Sequence, residues 1–222
     1  MKRIHMSSPA RGTAFWSADP DLRAALYAWL AAALYAPQED LVSVEFARCG
    51  EQLNASVLPG HSPLLLQRLR EANQKPTAAA ERLLALKREY ARLFLGPPKA
   101  LLRPYESCYF GRDQLMTEQS AAVRQFYTAC GLTLDQREYR EAPDHVSVEL
   151  TFLSMICETG CTQLTQSQTD RRAVERRFLH EHLGRWGSQL AGGIRQHTDE
   201  PLYLAAAQFL TAVIDSCTSA DG

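Results

Sequence analysis

The stretch Glu141-Ala-Pro-Asp-His-Val-Ser-Val-Glu-Leu-Thr-Phe-Leu-Ser-Met-Ile-Cys157 places an acidic residue and a histidine ahead of a largely apolar run. Pro143 has no backbone N–H and a φ angle that suits a first helical turn, where N–H groups have no intrahelical partner. The apolar residues after it recur at spacings of three and four, which is typical of a helix. The sequence therefore predicts a mostly buried helix that starts near Pro143, with Asp144 as its N-cap or in its first turn.

The composition favours helices along the whole chain. Its 222 residues include 30 Leu and 30 Ala but 8 Val and 4 Ile, and Leu and Ala favour helices whereas β-branched residues favour strands. We therefore expect an all-α fold, a compact multi-helix bundle. The formal net charge of −1 gives no reason to expect a nucleic-acid partner, which requires a clustered basic face.

An apolar run at 22–36 resembles the core of a signal peptide. However, it follows Asp19-Pro20 rather than a basic region, and it is shorter than the roughly 20 residues that span a bilayer. We therefore expect a core helix that Pro37 ends, and no stable membrane insertion. Six cysteines without a Cys-x-x-Cys pair indicate reduced thiols in a cytoplasmic protein.

Cap and breaker residues predict the remaining organisation, with N-caps at Asp19, Ser62, Thr77 and Thr117 and helix ends at Gly96 and Gly131. We expect a flexible N-terminal segment over 1–18, in which Phe15 and Trp16 dock, and a single helical domain over 19–217. A polar run at 162–169 is a candidate hinge before a C-terminal helical lobe. Because domain swapping needs such a connection, a monomer and a swapped dimer both stay open. Further helices are predicted over 39–48, 62–73, 77–95, 117–130, from 170 onwards and over 201–217, with a loop over 50–60.

The longest irregular segment runs over 96–116 and contains several prolines. Ordered loops of this length are often functional. The aromatic residues Tyr105, Tyr109 and Phe110 lie near its centre, so we expect this segment to pack against the protein.

Several motifs, taken in order, resemble the TorD/DmsD/NarJ-like family, and the resemblance covers residues 22–214. They are Tyr90-Ala-Arg-Leu93-Phe94, Pro104-Tyr-Glu-Ser107, Pro143-Asp144-His145-x-x-x-Glu149-Leu150-x-Phe152 and Phe178-x-x-x-His182-Leu183-x-x-Trp186. The resemblance implies a cytoplasmic, all-α chaperone that has no cofactor and is not an enzyme. Such proteins bind the precursor of a molybdenum oxidoreductase, often through its twin-arginine signal peptide, and delay export until the molybdopterin cofactor is in place.

The resemblance also implies where a peptide binds. The aromatic-x-x-Leu-Phe and Pro-Asp-His motifs are associated with peptide binding in this family, and Pro104 matches a further position. Tyr90 stands where some members have Trp, and Leu153 where many have Met. These departures leave the client enzyme unidentified.

The residue types give a separate reason to expect a peptide site. A twin-arginine leader offers two guanidinium groups followed by an apolar stretch, so its receptor needs carboxylates beside a hydrophobic groove. Asp144, Glu141 and Glu106 supply the carboxylates, and we expect an apolar wall from Tyr90, Leu93, Tyr105 and Phe152. The predicted peptide-binding residues are Tyr90, Leu93, Phe94, Pro104, Tyr105, Glu106, Pro143, Asp144, His145, Glu149 and Phe152.

Other interpretations of these residues stay open. Asp144 could serve only as a helix cap, and His145 either as a structural residue or as a pH sensor. A metal-dependent hydrolase would use Asp144, His145 and Glu149, with His180 and His182, but the helical spacing of the first three does not bring them onto one metal.

Three further alternatives concern the type of function. Ser107 lies in Pro-Tyr-Glu-Ser rather than in the Gly-x-Ser-x-Gly motif of a nucleophilic enzyme. GTP binding has been proposed in the family, but the sequence has no phosphate-binding loop, so a GTP site here would be unconventional and weak. A plain helical adaptor would leave the long loop and the acidic helix start without a role.

Overall fold

The computed structural model describes residues 15–61, 63–74, 79–96, 99–110, 118–134, 140–158 and 168–218. The helices in these ranges are α1 (Pro20–Ala33), α2 (Val44–Ser56), α3 (Pro63–Asn73), α4 (Ala79–Tyr90), α5 (Glu118–Ala129), α6 (Val146–Cys157), α7 (Gln168–Glu181), α8 (Leu183–His197) and α9 (Pro201–Thr218). Short 3₁₀ helices lie at Glu39–Val42 and Glu106–Cys108, and a π-helical turn at Ala91–Leu95 continues α4. These ranges contain no strand, so the all-α prediction is confirmed.

Helix α6 lies in the centre of the bundle. Ten of its twelve residues are buried, and it makes its most extensive contacts with α1. Helix α9 packs against α8 and also against α3, which in turn packs against α2. The site described below is therefore built around the start of the most enclosed helix. Across the described ranges, every helix is too short or too polar to cross a membrane.

Several predicted helix ends are confirmed. Asp19 is the N-cap of α1 and accepts a hydrogen bond from the Asp21 N–H at 2.9 Å, with Pro20 at the first helical position. Gly96 and Gly131 have φ angles of 51° and 70° after α4 with its π turn and after α5, a conformation that glycine adopts without steric cost. The caps predicted at Ser62, Thr77 and Thr117 lie outside the described residues.

The N-terminal end of the described chain is docked. Phe15 and Trp16 are buried, and the Trp16 indole donates to the Ser216 carbonyl at 2.9 Å. Residues 1–14 lie outside the described residues.

The predicted helix over 39–48 and the loop over 50–60 are wrong in detail. Ser43 interrupts the first and caps α2, accepting a hydrogen bond from the Phe46 N–H at 3.0 Å, and α2 then continues through Gly50 to Ser56. A Cβ at Gly50 would lie 2.9 Å from Leu66 Cδ2 and 3.1 Å from Trp29 Cζ2. This glycine is therefore a close-packing position and not a helix breaker.

The helix predicted from residue 170 onwards is divided in two. His182, with φ −127° and ψ −97°, separates α7 from α8, whereas Gly192 and Gly193 lie inside α8 without ending it. A Cβ on Gly193 would overlap Leu102 Cδ2. The glycine there allows residues 99–110 to approach α8 closely.

A buried ion pair joins α1 to α7. Arg23 Nε and Nη2 donate to the Glu175 carboxylate at 3.1 and 3.0 Å, and the Tyr27 hydroxyl donates to it at 2.9 Å. Both charged side chains are almost completely buried. Because residues 159–167 before α7 lie outside the described residues, the hinge, the boundaries of the domain and helix exchange stay predictions.

Candidate peptide-binding site

The irregular segment 99–110 packs against the start of α6. Tyr105 and His145 form an isolated antiparallel β-bridge, and the Glu106 N–H donates to the Asp144 carbonyl at 2.9 Å. The predicted packing of this segment against the protein is confirmed for these residues, since most of its centre is buried or half-buried. The contact brings the two acidic motifs of the sequence together.

Helix α6 begins later than predicted. It starts at Val146, and His145 is its N-cap, because its Nδ1 accepts a hydrogen bond from the Ser147 N–H at 3.2 Å. Pro143 is buried in the turn before the helix. The prediction that the helix starts near Pro143, with Asp144 as its N-cap or in its first turn, is wrong, since Asp144 precedes the N-cap His145 and its carboxylate accepts from the Ser107 N–H instead.

Three carboxylates are buried where segment 99–110 meets α6. Asp144 Oδ2 accepts from the Ser107 N–H at 2.9 Å, and Glu106 Oε2 lies 3.1 Å from His182 Nδ1. Asp144 and Glu149 are 0% exposed and Glu106 is 1% exposed. We call Glu106, Asp144 and Glu149 the acidic cluster.

The surroundings of Glu149 in the acidic cluster shift its pKa. Burial raises its pKa well above the usual range, and the nearby carboxylates of Glu106 and Asp144 raise it further. Trp186 opposes this rise, although its indole nitrogen and the two Glu149 oxygens are not in hydrogen-bond geometry. The protonated form of Glu149 is therefore favoured, and its oxygens, like Asp144 Oδ1, have no hydrogen-bond partner.

His145 is neutral at physiological pH, since burial lowers its pKa to about 3. Its Nδ1 lies 2.7 Å from Ser147 Oγ, and its Nε2 has no partner. Its ring packs edge-on against Tyr105 and Tyr35, with centroid distances of 4.9 and 6.4 Å. The interpretation of His145 as a pH sensor near neutrality is therefore wrong for this arrangement.

Three of the four residues of the predicted apolar wall, Tyr90, Leu93 and Phe152, lie inside the protein, as does Phe94, whereas Tyr105 is half-buried. Leu93 is fully buried and Tyr90, Phe94 and Phe152 are 4% exposed. Tyr90 and Phe94 pack against each other at a centroid distance of 5.1 Å, and Phe152 packs against Tyr127 at 4.6 Å. Contact of these side chains with a peptide stays a prediction. Because they are buried, such contact requires the side chains that cover them to move.

The half-exposed part of the predicted site is smaller. The Tyr105 hydroxyl donates to Glu141 Oε2 at 2.6 Å, and both residues are partly accessible. Pro104 is buried, and its carbonyl accepts a hydrogen bond from the Val146 N–H at 2.8 Å. Tyr105 and Glu141 thus form the outer edge of the site, and Pro104 fixes segment 99–110 to α6.

Three further residues surround the acidic cluster and were not among the predicted site residues. His182 contacts Glu106, and the Tyr127 hydroxyl donates to the Pro143 carbonyl at 2.9 Å. Trp186 acts to lower the pKa of Glu149. The spacing of four between His182 and Trp186 was the available signal, since it is compatible with one helix face. Nothing in the local sequence of Tyr127 pointed to its contact with Pro143.

The donor geometry gives the metal-dependent hydrolase no centre. Among the described residues, no group of three His, Cys, Asp or Glu side chains is arranged to hold a metal ion. His182 is bonded to Glu106, whereas His180 is exposed.

Comparison with known proteins identifies the family. The family described as nitrate reductase delta subunit matches residues 61–192, which is more than half of the chain and includes segment 99–110, α6 and the acidic cluster. The chain belongs to this family, which is of the NarJ and TorD type.

The curated relatives are chaperones. The chaperone protein TorD of Vibrio parahaemolyticus is 28% identical over 204 residues, which covers 86% of this chain and 90% of the relative. The chaperone protein TorD of a Psychrobacter species is 28% identical over 187 residues, which covers 77% of this chain and 78% of the relative. These names describe a non-enzymatic role in the family.

A solved structure from Archaeoglobus fulgidus, described as that of a candidate redox enzyme maturation protein, aligns with 94% of this chain and 96% of its own length. The TM-score is 0.49 and the sequence identity is 19%.

Proposed function

We propose that this protein is a cytoplasmic chaperone of molybdoenzyme maturation that binds the twin-arginine leader of an oxidoreductase precursor, its apo catalytic subunit, or both. It holds the precursor until the molybdopterin cofactor is inserted and only then lets export proceed. Membership of the family and the chaperone names of the relatives support the general role. The choice of ligand rests on the chemistry of the site.

The acidic cluster is the observation that carries this proposal. Asp144 and Glu149 hold three carboxylate oxygens without a hydrogen-bond partner, in a fully buried place. A buried unpaired acceptor is costly, and an arginine guanidinium supplies up to five donors and a positive charge in a planar arrangement. A leader arginine that reaches the cluster would satisfy these oxygens.

The outer edge supports the same chemistry. Glu141 already accepts the Tyr105 hydroxyl, and both side chains are partly accessible. A second guanidinium would pair with the Glu141 carboxylate and stack on the Tyr105 ring. Of two consecutive arginines, one would thus bind the acidic cluster and the other Glu141.

The test is a calorimetric titration of the protein with three ligands: a twin-arginine leader peptide, the same peptide with both arginines changed to Gln, and an apo catalytic subunit without its leader. We expect saturable binding of the leader that weakens at least about tenfold, or about 1.4 kcal/mol, in the Gln peptide. Binding of the leaderless subunit alone would place the epitope on the mature enzyme, and binding of none of them would contradict the proposed function.

A further inference from the structure

A surface groove of about 350 Å³ lies between α1 and α6. Ala28, Ala31 and Ala32 line it on the α1 side, and Thr151 and Met155 contribute to the α6 side. Ala28 and Met155 are exposed, whereas Ala32 and Thr151 are half-buried. The small alanine side chains let another chain come close to α1, and the long, flexible Met155 side chain adapts to apolar partners. The groove is therefore open to solvent and has apolar walls.

The serine and threonine hydroxyls of this groove already have partners inside the protein. Thr151 Oγ1 donates to the Ser147 carbonyl at 2.8 Å, and Ser154 Oγ donates to the Ala24 carbonyl at 2.9 Å. Ser147 Oγ lies 2.7 Å from His145 Nδ1. Because these polar groups are satisfied internally, the groove favours an apolar occupant over one whose own polar groups would need partners there.

The groove begins beside the outer edge of the proposed peptide site. Tyr35 lines the groove, and its ring packs edge-on against His145 at a centroid distance of 6.4 Å. The His145 ring packs in turn against Tyr105 at 4.9 Å. The Tyr105 hydroxyl donates to Glu141, which is the carboxylate proposed for the second leader arginine. A peptide bound at Glu141 therefore has the start of the groove next to it.

From there the groove follows α6 to its C-terminal end. Ser147 lies in the first turn of α6, Glu158 is the C-cap, and both are lining residues. They are about three helical turns apart, roughly 16 Å along the axis, which matches about five residues of extended chain. Among the lining residues that the structure describes, Glu158 alone carries a charge, and it lies at the opposite end of α6 from His145. The part between these ends suits a short apolar segment.

Resting on the proposed function, we propose that the groove between α1 and α6 binds the apolar stretch that follows the two arginines of the leader. The arginines occupy the acidic cluster and Glu141, and the residues after them pass Tyr35 and lie along Ala28 and Met155. The occupant belongs to the leader because the groove continues from the place where the second arginine binds. Its apolar side chains leave water as they enter the groove, which favours binding.

The test closes the groove, or places a charge on its wall, at exposed positions. Ala28→Trp fills the groove with an indole, and Met155→Glu puts a carboxylate in the path of the apolar stretch. The matched controls lie outside the groove: Ala122→Trp at an exposed alanine of α5, and Leu64→Glu at an exposed leucine of α3. Circular dichroism checks that each variant is folded, and light scattering measures its oligomeric state.

Binding of three fluorescent peptides is measured by anisotropy: the twin-arginine leader, a Gln form in which both arginines are replaced, and a Ser form that keeps the arginines but has its apolar stretch replaced by serine. We expect Ala28→Trp and Met155→Glu to weaken binding of the original leader at least tenfold, and both controls to change it less than twofold. The Gln form should lose affinity by the same factor in the groove variants, since its apolar stretch is unchanged. The Ser form should bind the wild type at least tenfold more weakly than the original leader does, and the groove variants should change its affinity less than twofold.

Unchanged affinity of both groove variants for the original leader, or equal losses for the original leader and the Ser form, would overturn the docking site. A preference of the wild type for the original leader over the Gln form would still support the proposed function in that case. Loss of a dimer in the groove variants without loss of leader affinity would assign the groove to a second copy of this chain and overturn the inference. Failure of the wild-type protein to bind the original leader would remove the leader as its ligand, and this inference with it.

Discussion

At the scale of single residues, the acidic cluster sets this protein apart from an ordinary helical bundle. Three carboxyl groups in one buried place lose their hydration, and a charge on one disfavours a charge on the next, which costs stability. Asp144 and Glu106 each have one partner, but Glu149 has none in hydrogen-bond geometry. Perturbed buried groups of this kind concentrate at functional sites, and for this reason the proposed function gives the cluster a role in binding.

Glu149 makes the stability of the fold depend on pH. Its pKa is raised in the folded protein from an ordinary value of 4.5, so above that value the native state keeps a proton that the unfolded chain has lost. The free energy of unfolding therefore falls as the pH rises above about 4.5 towards the folded-state pKa. Glu149→Gln removes this loss of stability, because the Gln amide does not ionise in this pH range.

We therefore expect the free energy of unfolding of Glu149→Gln, relative to the wild type, to increase from about pH 5 to about pH 8. Urea unfolding at several pH values measures this difference, and the exposed Glu71→Gln variant is the matched control. A difference that does not change with pH, or that decreases, would show that Glu149 is charged in the folded protein.

The residue types of this site were predictable from the sequence, but their burial was not. The motifs correctly indicated that segment 99–110 and the Pro-Asp-His stretch belong together with their carboxylates. Whether Asp144 caps its own helix or turns to Ser107 depends on a contact between residues 37 positions apart. Local sequence carries no information on such a contact. The contact of His182 with Glu106, which are 76 positions apart, is of the same kind.

At the scale of secondary structure elements, the site depends on how closely segment 99–110 approaches α8. Leu102 occupies the space that a Cβ on Gly193 would need, and its N–H donates to the Leu93 carbonyl at 2.9 Å. The same segment carries Glu106 four residues later. A displacement of Leu102 should therefore also move Glu106 in the acidic cluster.

Gly192 and Gly193 provide a matched pair for this contact. Gly192→Ala should stabilise the protein by roughly 0.5–1 kcal/mol, since alanine is the better helix former and a Cβ there meets nothing within 4 Å. Gly193→Ala should instead destabilise it by about 1–3 kcal/mol, because the added methyl overlaps Leu102. Thermal and urea unfolding of both variants test this, and an equal gain in both would show that segment 99–110 does not pack closely on α8.

Helix ends divide into those that sequence could predict and those it could not. Asp19-Pro20, Gly96 and Gly131 act through local backbone chemistry and were predicted. Gly50 inside α2 and the break at His182 were not, because close packing of Leu66 on the first and the Glu106 contact of the second arise from distant parts of the chain.

At the scale of the whole molecule, the ion pair between Arg23 and Glu175 connects α1 to α7 across 152 positions of the sequence. Removing one member of a buried pair leaves the other charge buried without a partner and destabilises the fold. Replacing both members by apolar residues often leaves the stability unchanged. The pair therefore fixes how α7 packs on α1.

We expect Glu175→Ala to lower the free energy of unfolding by about 3–5 kcal/mol, since it leaves the Arg23 guanidinium buried without its partner. The double variant Arg23→Met with Glu175→Leu should recover most of this loss. Urea unfolding of the two proteins decides the matter. A small cost for Glu175→Ala would indicate that α7 is free to separate from α1, as exchange of the C-terminal helices between two chains would require.

The most direct test of the account is a double-mutant cycle between Asp144 and the arginines of the leader. Asp144→Asn keeps an oxygen that can accept from the Ser107 N–H but removes the negative charge, and the leader is used with its two arginines or with Gln in their place. Calorimetry of the four pairs gives the coupling free energy. We predict a favourable coupling of about 1 kcal/mol or more, whereas losses that add within about 0.5 kcal/mol would contradict recognition of the leader arginines by the acidic cluster.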